Sequence, residues 1–386
     1  MVSQQLSGQR VAELVREKFG GLHDWRREHG KEHAFLDVLF IVLCGGISGC
    51  DGWDDLATYA EGKRERFAEW LGWPEGKAGP SADTFRRIVE VLHPRHFEAA
   101  LRAWVGALAE EVAGEVVALD GKAVRGALRR VHGRLKPLHL LHAYATRQGL
   151  LLGQLVVEGA PGEVVALPEL IGQLDVAGAV LTVDANGCTA AVARACIDAG
   201  ADYVLCVKGN RGALRDGARA AFEGRAAQDT HIERREGHGR CVTVRTCVQP
   251  VEAPWPLKRG GRWKGAATWV RVERERESNA THAASFEVHY YLTSLPPDAD
   301  EVAARVRAHW GVETGLHWVL DVAFREDARR IRSPHGAQNF AALARMALAL
   351  LRREPTLKRG IEGKRKRAGW DDSYLMRVLV GGILED

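Results

Sequence analysis

Two aspartates each follow a short apolar run, a placement that suits a metal site. Asp120 follows Val116–Leu119, and Asp184 follows Val180–Val183. Because the ends of neighbouring buried strands meet at one edge of a sheet, these carboxylates are expected to approach each other, and their hard oxygens suit Mg²⁺ or Mn²⁺. Aspartate followed closely by glycine is equally typical of a turn, so each residue taken alone favours a structural role.

A third acidic residue lies in the segment HWGVETGLHW, residues 309–318. On a helix, His309, Glu313 and His317 are four residues apart and therefore share a face. Trp310 and Trp318 flank them, which is unusual for a helix face that only contacts solvent. The alternative is a surface glutamate beside histidines that cap a core.

Three carboxylates suffice for one kind of chemistry, the cleavage of a phosphodiester. That reaction needs an activated water and a stabilised leaving oxygen, and two metal ions about 4 Å apart provide both. The chain contains no nucleotide P-loop, no Gly-x-Ser-x-Gly elbow and no cysteine–histidine nucleophile pattern. ATP-driven and covalent mechanisms therefore lack support.

The elements that must position these acids form an α/β pattern from about residue 115 onward. Short apolar, β-branched runs predict strands, and three- and four-residue spacing predicts helices. The order strand, strand, strand, helix, strand, helix, strand is that of a ribonuclease-H-like sheet. The predicted strands are Val116–Leu119, Leu138–Ala145, Leu150–Val157, Val180–Val183 and Tyr203–Val207, and the helices are Val164–Leu174 and Thr189–Ala199.

The rest of the chain is divided by composition into flanking parts. Residues 1–113 are predicted to be an all-helical N-terminal domain, in which residues 35–49 form a buried helix and Ser81 or Asp83 begins another. Residues 114–351 form the predicted catalytic domain, with a β-rich insertion at about 209–297 and later helices at Glu301–Leu320 and Ala337–Leu351. Residues 352–386 form a basic C-terminal segment with a short helix at Tyr374–Leu379.

Charge is concentrated in two places, although the 386-residue chain carries only +4 overall. Residues 120–150 contain seven bases and one acid, and residues 352–367 contain eight bases and two acids. Basic blocks of this kind favour contact with a polyanion, because each neutralised phosphate releases condensed counterions. A solvated surface explains either block alone equally well.

The seven cysteines and the first residues of the chain indicate the cellular compartment of the protein. No Cys-x-x-Cys pair occurs, which favours free thiols in a reducing cytosol. His231, His238, Cys241 and Cys247 have no common zinc spacing, so a strand-rich region is favoured over a zinc site there. The first residues lack the apolar stretch of a signal peptide, and we expect a cytoplasmic protein.

Seven segments in order along the chain resemble blocks of the ISAs-type, or H-repeat-associated, insertion-sequence transposases of the DDE superfamily. The stretch LHWVLDVAFRED, residues 316–327, is the most specific, because its mixture of Trp, His, Asp and Phe does not arise from helix periodicity. The segments are FLDVLFIVLCGGISGCDGWDDLATYAE, PSADTFRRIVEVLHP, ALDGKAVRGA, LTVDANGC, DYVLCVKGNR, HWGVETGLHWVLDVAFREDARRIR and KRKRAGWDDSYLMRVL.

The resemblance implies a metal-dependent endonuclease and polynucleotidyl transferase with a ribonuclease-H-like core, a β-rich insertion and an N-terminal helical domain. Asp120, Asp184 and Glu313 match the family's three acids, and would hold two Mg²⁺ or Mn²⁺ ions, with Asp120 bridging them. The wider branch has Arg four residues before the glutamate and Lys seven after it, where this chain has His309 and Leu320. The candidates to replace those phosphate contacts are Arg305, Arg307, His317 and Arg325.

The resemblance implies a bacterial, nucleoid-associated protein whose partner is DNA, both the terminal inverted repeats and the target. It also implies a homodimer on DNA and no membrane partner. The N-terminal domain is the candidate reader of the repeats, with Arg86 and Arg87 on an exposed face, and Trp370 accompanies the basic C-terminal run. Two alternatives stay open, a nuclease of the same fold that cuts without joining and a decayed or domesticated DNA-binding relic. The predicted DNA contacts are Lys122, Arg125, Lys208, Asn210, His309, His317, Lys364, Arg365, Lys366 and Arg367.

Overall fold

The structure, a computed structural model, describes residues 8–26, 31–106, 112–131, 134–158, 160–207, 212–237, 239–252, 263–278 and 283–380. The described helices are α1 Gly8–Phe19, α2 Phe35–Ser48, α3 Trp53–Gly62, α4 Arg64–Leu71, α5 Ala82–Val91, α6 Pro94–Gly106, α7 Ala160–Ile171, α8 Ala190–Asp198, α9 Gly212–Ala220, α10 Ala299–His309, α11 Trp318–Ala323, α12 Pro334–Arg353, α13 Ile361–Trp370 and α14 Asp372–Val380. The strands are β1 Val116–Val131, β2 Arg134–Ala145, β3 Leu150–Val157, β4 Val180–Val183, β5 Asp202–Val207, β6 Asp229–Gly237, β7 Arg240–Pro250, β8 Thr268–Ser278 and β9 Ala284–Thr293.

All the described strands belong to one sheet, in the order β3-β2-β1-β4-β5-β9-β8-β7-β6. β1, β4 and β5 pair in parallel, while β2 and β3 pair antiparallel at one side. That arrangement is a ribonuclease-H-like core, and it confirms the predicted fold class. The predicted β-rich insertion is the antiparallel run β6 to β9, which extends the sheet because β9 pairs with the outer edge of β5.

The first two strands are longer than predicted. The sequence placed Asp120 at the end of a strand, but β1 continues through it to Val131, because β2 pairs with β1 along this length, Asp120 opposite His142. The parallel neighbour β4 ends at Val183, so only one side of Asp120 has a strand beside it. The sheet is therefore open beside Asp120, as predicted. The reason differs from the prediction, because β4 is short and β1 does not end there.

Helices cover both faces of the sheet. On one face α7, α8 and α9 pack over the alternate apolar residues of β1, β4 and β5. On the other face the N-terminal helices pack together with α12, α14 and part of α13 in one continuous core. The C-terminal segment is thus part of the body of the protein, since Tyr374, Leu375 and Leu379 are fully buried.

Local signals explain several of these helices. Ser81 caps α5, its hydroxyl oxygen accepting the backbone N–H of Thr84, as the Ser–Asp pattern predicts. The predicted buried helix is α2, whose residues from Val38 to Cys44 are almost wholly inaccessible. No single helix in the described ranges is long and apolar enough to cross a membrane; α2 and α3 satisfy the length and composition test only as a pair bent by 101°.

The zinc hypothesis fails on geometry. Cys241 and Cys247 lie on the same strand, β7, six residues apart, which separates them by about 20 Å at strand rise. They cannot bind one ion together, and His238 lies outside the described residues. All seven cysteines are free thiols.

Candidate active site

The two aspartates meet through strand register. Leu119 of β1 is aligned with Val183 of β4 in a parallel pair, so the next residue on each chain, Asp120 and Asp184, follows side by side. Side chains alternate along a strand, which places Thr182 on the same face as Asp184. This is the sheet face opposite α7 and α8, and α10 packs against it.

Asp184 closes the turn that its sequence suggested and also lies at the predicted site. Its Oδ1 accepts the backbone N–H groups of Asn186 at 3.0 Å and Gly187 at 3.4 Å, which closes a turn after β4. Gly187 is required there, because a Cβ would lie 2.2 Å from Cγ1 of Val183. The turn thus fixes the direction of the carboxylate, which also lines the pocket described below.

Glu313 reaches this face from a break in the helix predicted for residues 301–320. α10 ends at His309, and residues Glu313–His317 form a single π-helical turn before α11. The N–H of Trp318 bonds to the carbonyl of Glu313, five residues earlier, instead of the usual four. Such single π turns recur at functional sites, and the side chain of Glu313 is 54% exposed.

The three predicted acids converge. Asp120, Asp184 and Glu313 line one pocket, together with His309 and Trp310. Burial, reinforced by the negative charges of Glu313 and Asp184, raises the pKa of Asp120 to about 7. Ligand atoms of Asp120, Glu313 and His317 also lie within 4.8 Å of one another, a spacing that could hold a cation.

The two histidines of the segment are buried beside these acids. His309 Nδ1 lies 2.9 Å from the hydroxyl of Thr182, and burial lowers the pKa of its imidazole. His317 Nδ1 faces Asp120 and Glu313, and burial, helped by Lys122, lowers the pKa of His317 to about 3. Both rings are therefore neutral near pH 7, and a contact of either with DNA, as predicted, would be a hydrogen bond and not an ion pair.

The comparisons agree with this geometry. Residues 113–350 match the family model described as Transposase DDE domain, and residues 16–105 match the model described as DDE_Tnp_1-associated. The chain belongs to the DDE transposase family. A putative transposase of Escherichia coli O157:H7, YncI, is 33% identical over 92% of this chain and 91% of its own length.

A second relative carries the subfamily name. The H repeat-associated putative transposase YhhI of Escherichia coli K12 is 29% identical over 94% of this chain and 96% of that protein. The resemblance to the H-repeat-associated transposases is therefore confirmed. Among solved structures, the piggyBac transposase synaptic complex with hairpin DNA covers all of this chain and 80% of its own, at 11% identity and a TM-score of 0.45.

Three bases that the sequence assigned to DNA lie inside this transposase. The ammonium of Lys122 is 2.7 Å from both carboxylate oxygens of Asp321. Lys364 donates to the carbonyls of residues 351 and 354, and Arg365 to those of residues 46 and 323. All three are buried, and their charges are engaged by carbonyls and a carboxylate of the fold, which argues against the predicted DNA contacts.

The other predicted DNA contacts have different outcomes. Arg125 on β1 is 81% exposed, and Lys366 and Arg367 on α13 are about half exposed. These three stay as predictions. Lys208 and Asn210 lie outside the described residues.

The proposed replacements for the missing family bases are largely committed elsewhere. Arg305 donates to the carbonyl of residue 114, and Arg307 pairs with Glu233 at 3.0 Å. Leu320, at the usual lysine position, is fully buried. Arg325 is exposed, and its φ of 50° makes it the one described non-glycine residue with a left-handed backbone.

The sequence missed the residues that hold the π turn. Arg352 of α12 donates to the carbonyl of Gly315 and, at 2.7 Å, to the hydroxyl of Tyr144. His142 and Arg345 lie behind His317 in the core. The available signal was polar residues placed within or directly after apolar runs: His142 in LHLLHAYA, Arg345 in ALARMALALL, and Arg352 directly after the latter.

We expect Gly315→Ala to lower DNA cleavage by up to about a hundredfold, because a Cβ there lies 2.8 Å from the Tyr144 hydroxyl and displaces the turn that carries Glu313. Gly62→Ala is the matched control, since nothing lies within 4 Å of its Cβ. Rates of end cleavage and melting temperatures of both variants test this. Unchanged cleavage by Gly315→Ala would show that the turn tolerates the shift.

Proposed function

We propose that this DDE transposase cuts DNA at the ends of an insertion sequence and joins the released 3′-hydroxyl to target DNA. Asp120, Asp184 and Glu313 would hold two Mg²⁺ or Mn²⁺ ions. We further propose that the enzyme acts as a homodimer, because two ends must be brought together, and in the cytoplasm of a bacterial cell.

One observation carries the proposal: three carboxylates share a pocket whose lining, among the described residues, includes no lysine or arginine. Lys122, on the same strand as Asp120, is held by Asp321. Burial and like charges raise the pKa of Asp120 to about 7, so the site favours the arrival of positive charge. Three carboxylates that line one pocket offer the oxygen ligands that a hard divalent ion prefers.

The residues of the site have distinct tasks in this reaction. When bound, the ions would supply an activated water and stabilise the leaving oxygen. Asp120 and Asp184 are fixed by strand register and by a closed turn, so their oxygens are held in place before substrate arrives. Glu313 completes the site from a turn clamped by Arg352, and its exposed side chain lies where a DNA strand has access.

The DNA strand would reach the pocket along exposed bases and aromatic rings. Trp310 and Trp318, half exposed or more, flank Glu313, and rings of this kind stack on nucleobases. Arg125 lies farther along β1, the strand that carries Asp120. In the N-terminal domain Arg86 and Arg87 are exposed and pair with Asp83, and they remain the candidate contacts for the terminal repeats.

Cleavage and joining are tested separately, so that a transposase, a nuclease and a DNA-binding relic give different results. The substrates are DNA with the element's own ends, uncut or pre-cut to a 3′-hydroxyl, with a target plasmid and Mg²⁺ or Mn²⁺. We expect nicking of the first and covalent joining of the second, both lost in chelator. Cutting without joining would indicate a nuclease, and binding without either reaction would indicate a relic.

We expect the double variant Lys366→Ala/Arg367→Ala to weaken DNA binding at all sequences, because α13 presents these bases to solvent. The slope of log affinity against log salt should fall by up to about two units, one for each lost phosphate contact. Arg10→Ala/Lys18→Ala, which removes two exposed bases of α1, is the control. Equal salt slopes in the two double variants would remove α13 from the interface.

A further inference from the structure

A buried polar relay leads away from the active site into the core. His317 Nε2 lies 3.3 Å from His142 Nδ1, and His142 Nε2 lies 3.0 Å from Nε of Arg345. Arg345 forms a two-point ion pair with Glu326, at 2.6 and 3.3 Å. The four residues of this relay are buried, His142 completely.

The direction of each hydrogen bond in the relay follows from its inner end. The guanidinium of Arg345 can only donate, so Nε2 of His142 must accept. A neutral His142 therefore carries its hydrogen on Nδ1 and donates it to Nε2 of His317. His142 is neutral because burial and the adjacent Arg345 hold its pKa well below the usual value.

This order fixes the hydrogen of the outer histidine. Since Nε2 of His317 accepts, it carries no hydrogen, and the single hydrogen of the ring is on Nδ1. Nδ1 is the atom that faces the acids, 3.5 Å from Oε2 of Glu313 and 3.7 Å from Oδ2 of Asp120. The ring therefore presents an N–H, and not a lone pair, to the carboxylates.

We propose that His317 is a positioning residue whose Nδ1–H orients Asp120 and Glu313, that its tautomer is set by Arg345 through His142, and that it is not a metal ligand. Distance alone groups His317 with Asp120 and Glu313 as donors for an ion, but the nitrogen in question has no free lone pair. The proposed metal site is then made of oxygen only, a ligand set that suits Mg²⁺ and Mn²⁺.

The tautomer can be measured on the intact, metal-free chain. Long-range ¹H–¹⁵N correlation spectra of protein labelled with ¹⁵N-histidine distinguish a protonated ring nitrogen from one with a free lone pair. Signals are assigned by their loss in His317→Gln and His142→Gln. We expect a hydrogen on Nδ1 of both rings. A hydrogen on Nε2 of His317 would overturn the inference.

Because the inference about ligands rests on the proposed metal role of the acids, a second readout uses Mn²⁺ alone. Pulsed electron paramagnetic resonance detects nitrogen bound directly to Mn²⁺. We expect bound Mn²⁺ without a coordinated histidine nitrogen, and such a nitrogen would refute the proposal. If no Mn²⁺ binds, the proposed metal role of the acids is wrong. The tautomer measurement still shows which ring nitrogens of His142 and His317 carry a hydrogen.

Matched variants test the positioning role. His317→Asn keeps an N–H donor near the position of Nδ1, whereas His317→Leu removes it. We expect Mg²⁺ affinity, measured by calorimetry, to fall about 10- to 100-fold in His317→Leu and to be largely retained in His317→Asn. If both folded variants lose the same Mg²⁺ affinity, the ring of His317 contributes packing and not an N–H donor. If either variant fails to fold, the tautomer of His317 in the intact protein still tests the proposal.

Discussion

Glu313→Gln is expected to abolish DNA cleavage while DNA binding persists. The substitution keeps the shape of the side chain and removes one of three charges around the proposed metal site. We expect the cleavage rate to fall about a thousandfold or more, which corresponds to about 4 kcal/mol of transition-state stabilisation. Because the side chain is 54% exposed, the fold should be unaffected. End cleavage in Mg²⁺ and binding by gel shift are the measurements.

The matched control is Glu17→Gln on α1, an exposed glutamate whose neighbour Lys18 is 3.6 Å away. It should cleave like the intact protein. Added Mg²⁺ should raise the melting temperature of the intact protein and of this control, but raise that of Glu313→Gln less, because bound ligand stabilises only the folded state. Full cleavage by Glu313→Gln would place the active site elsewhere.

The acidic pair was predictable because it depends on local pattern and on sheet topology. Val116–Leu119 and Val180–Val183 are apolar enough to be buried strands, and parallel neighbours in one sheet bring the residues that follow them together. Asp120 and Asp184 therefore meet even though β1 does not end at Asp120. The two carboxylates lie at an open edge of the sheet because one of the two strands, β4, ends at Val183.

The π turn and the fate of the basic run were not predictable from local pattern. Residues 301–320 have the spacing of one helix, and the break between His309 and Trp318 is held by Arg352, which is distant in sequence. The run of bases at residues 364–367 looks like a solvated surface. Only packing against α2 and α12 shows that Lys364 and Arg365 point inward to backbone carbonyls, while Lys366 and Arg367 point outward.

Glu326→Ala is expected to destabilise the protein strongly, because it leaves the guanidinium of Arg345 buried without its partner. The side chains of Glu326 and Arg345 are each 1% exposed and are 2.6 Å apart. Removing one member of such a pair costs about 3–5 kcal/mol, most of it the penalty for an uncompensated buried charge. Thermal unfolding followed by circular dichroism should show a melting temperature lower by many degrees.

The matched control is Glu13→Ala, which breaks the pair of Glu13 with Arg10 on α1, where the side chains are 59% and 60% exposed. An exposed pair contributes about 0–1 kcal/mol, so this variant should melt close to the intact protein. Glu326→Ala/Arg345→Met should recover much of the lost stability, because no charge is then left unpaired. If Glu326→Ala alone melts like the control, water or another group must reach Arg345, and the relay behind His317 is not the closed network that orders its tautomer.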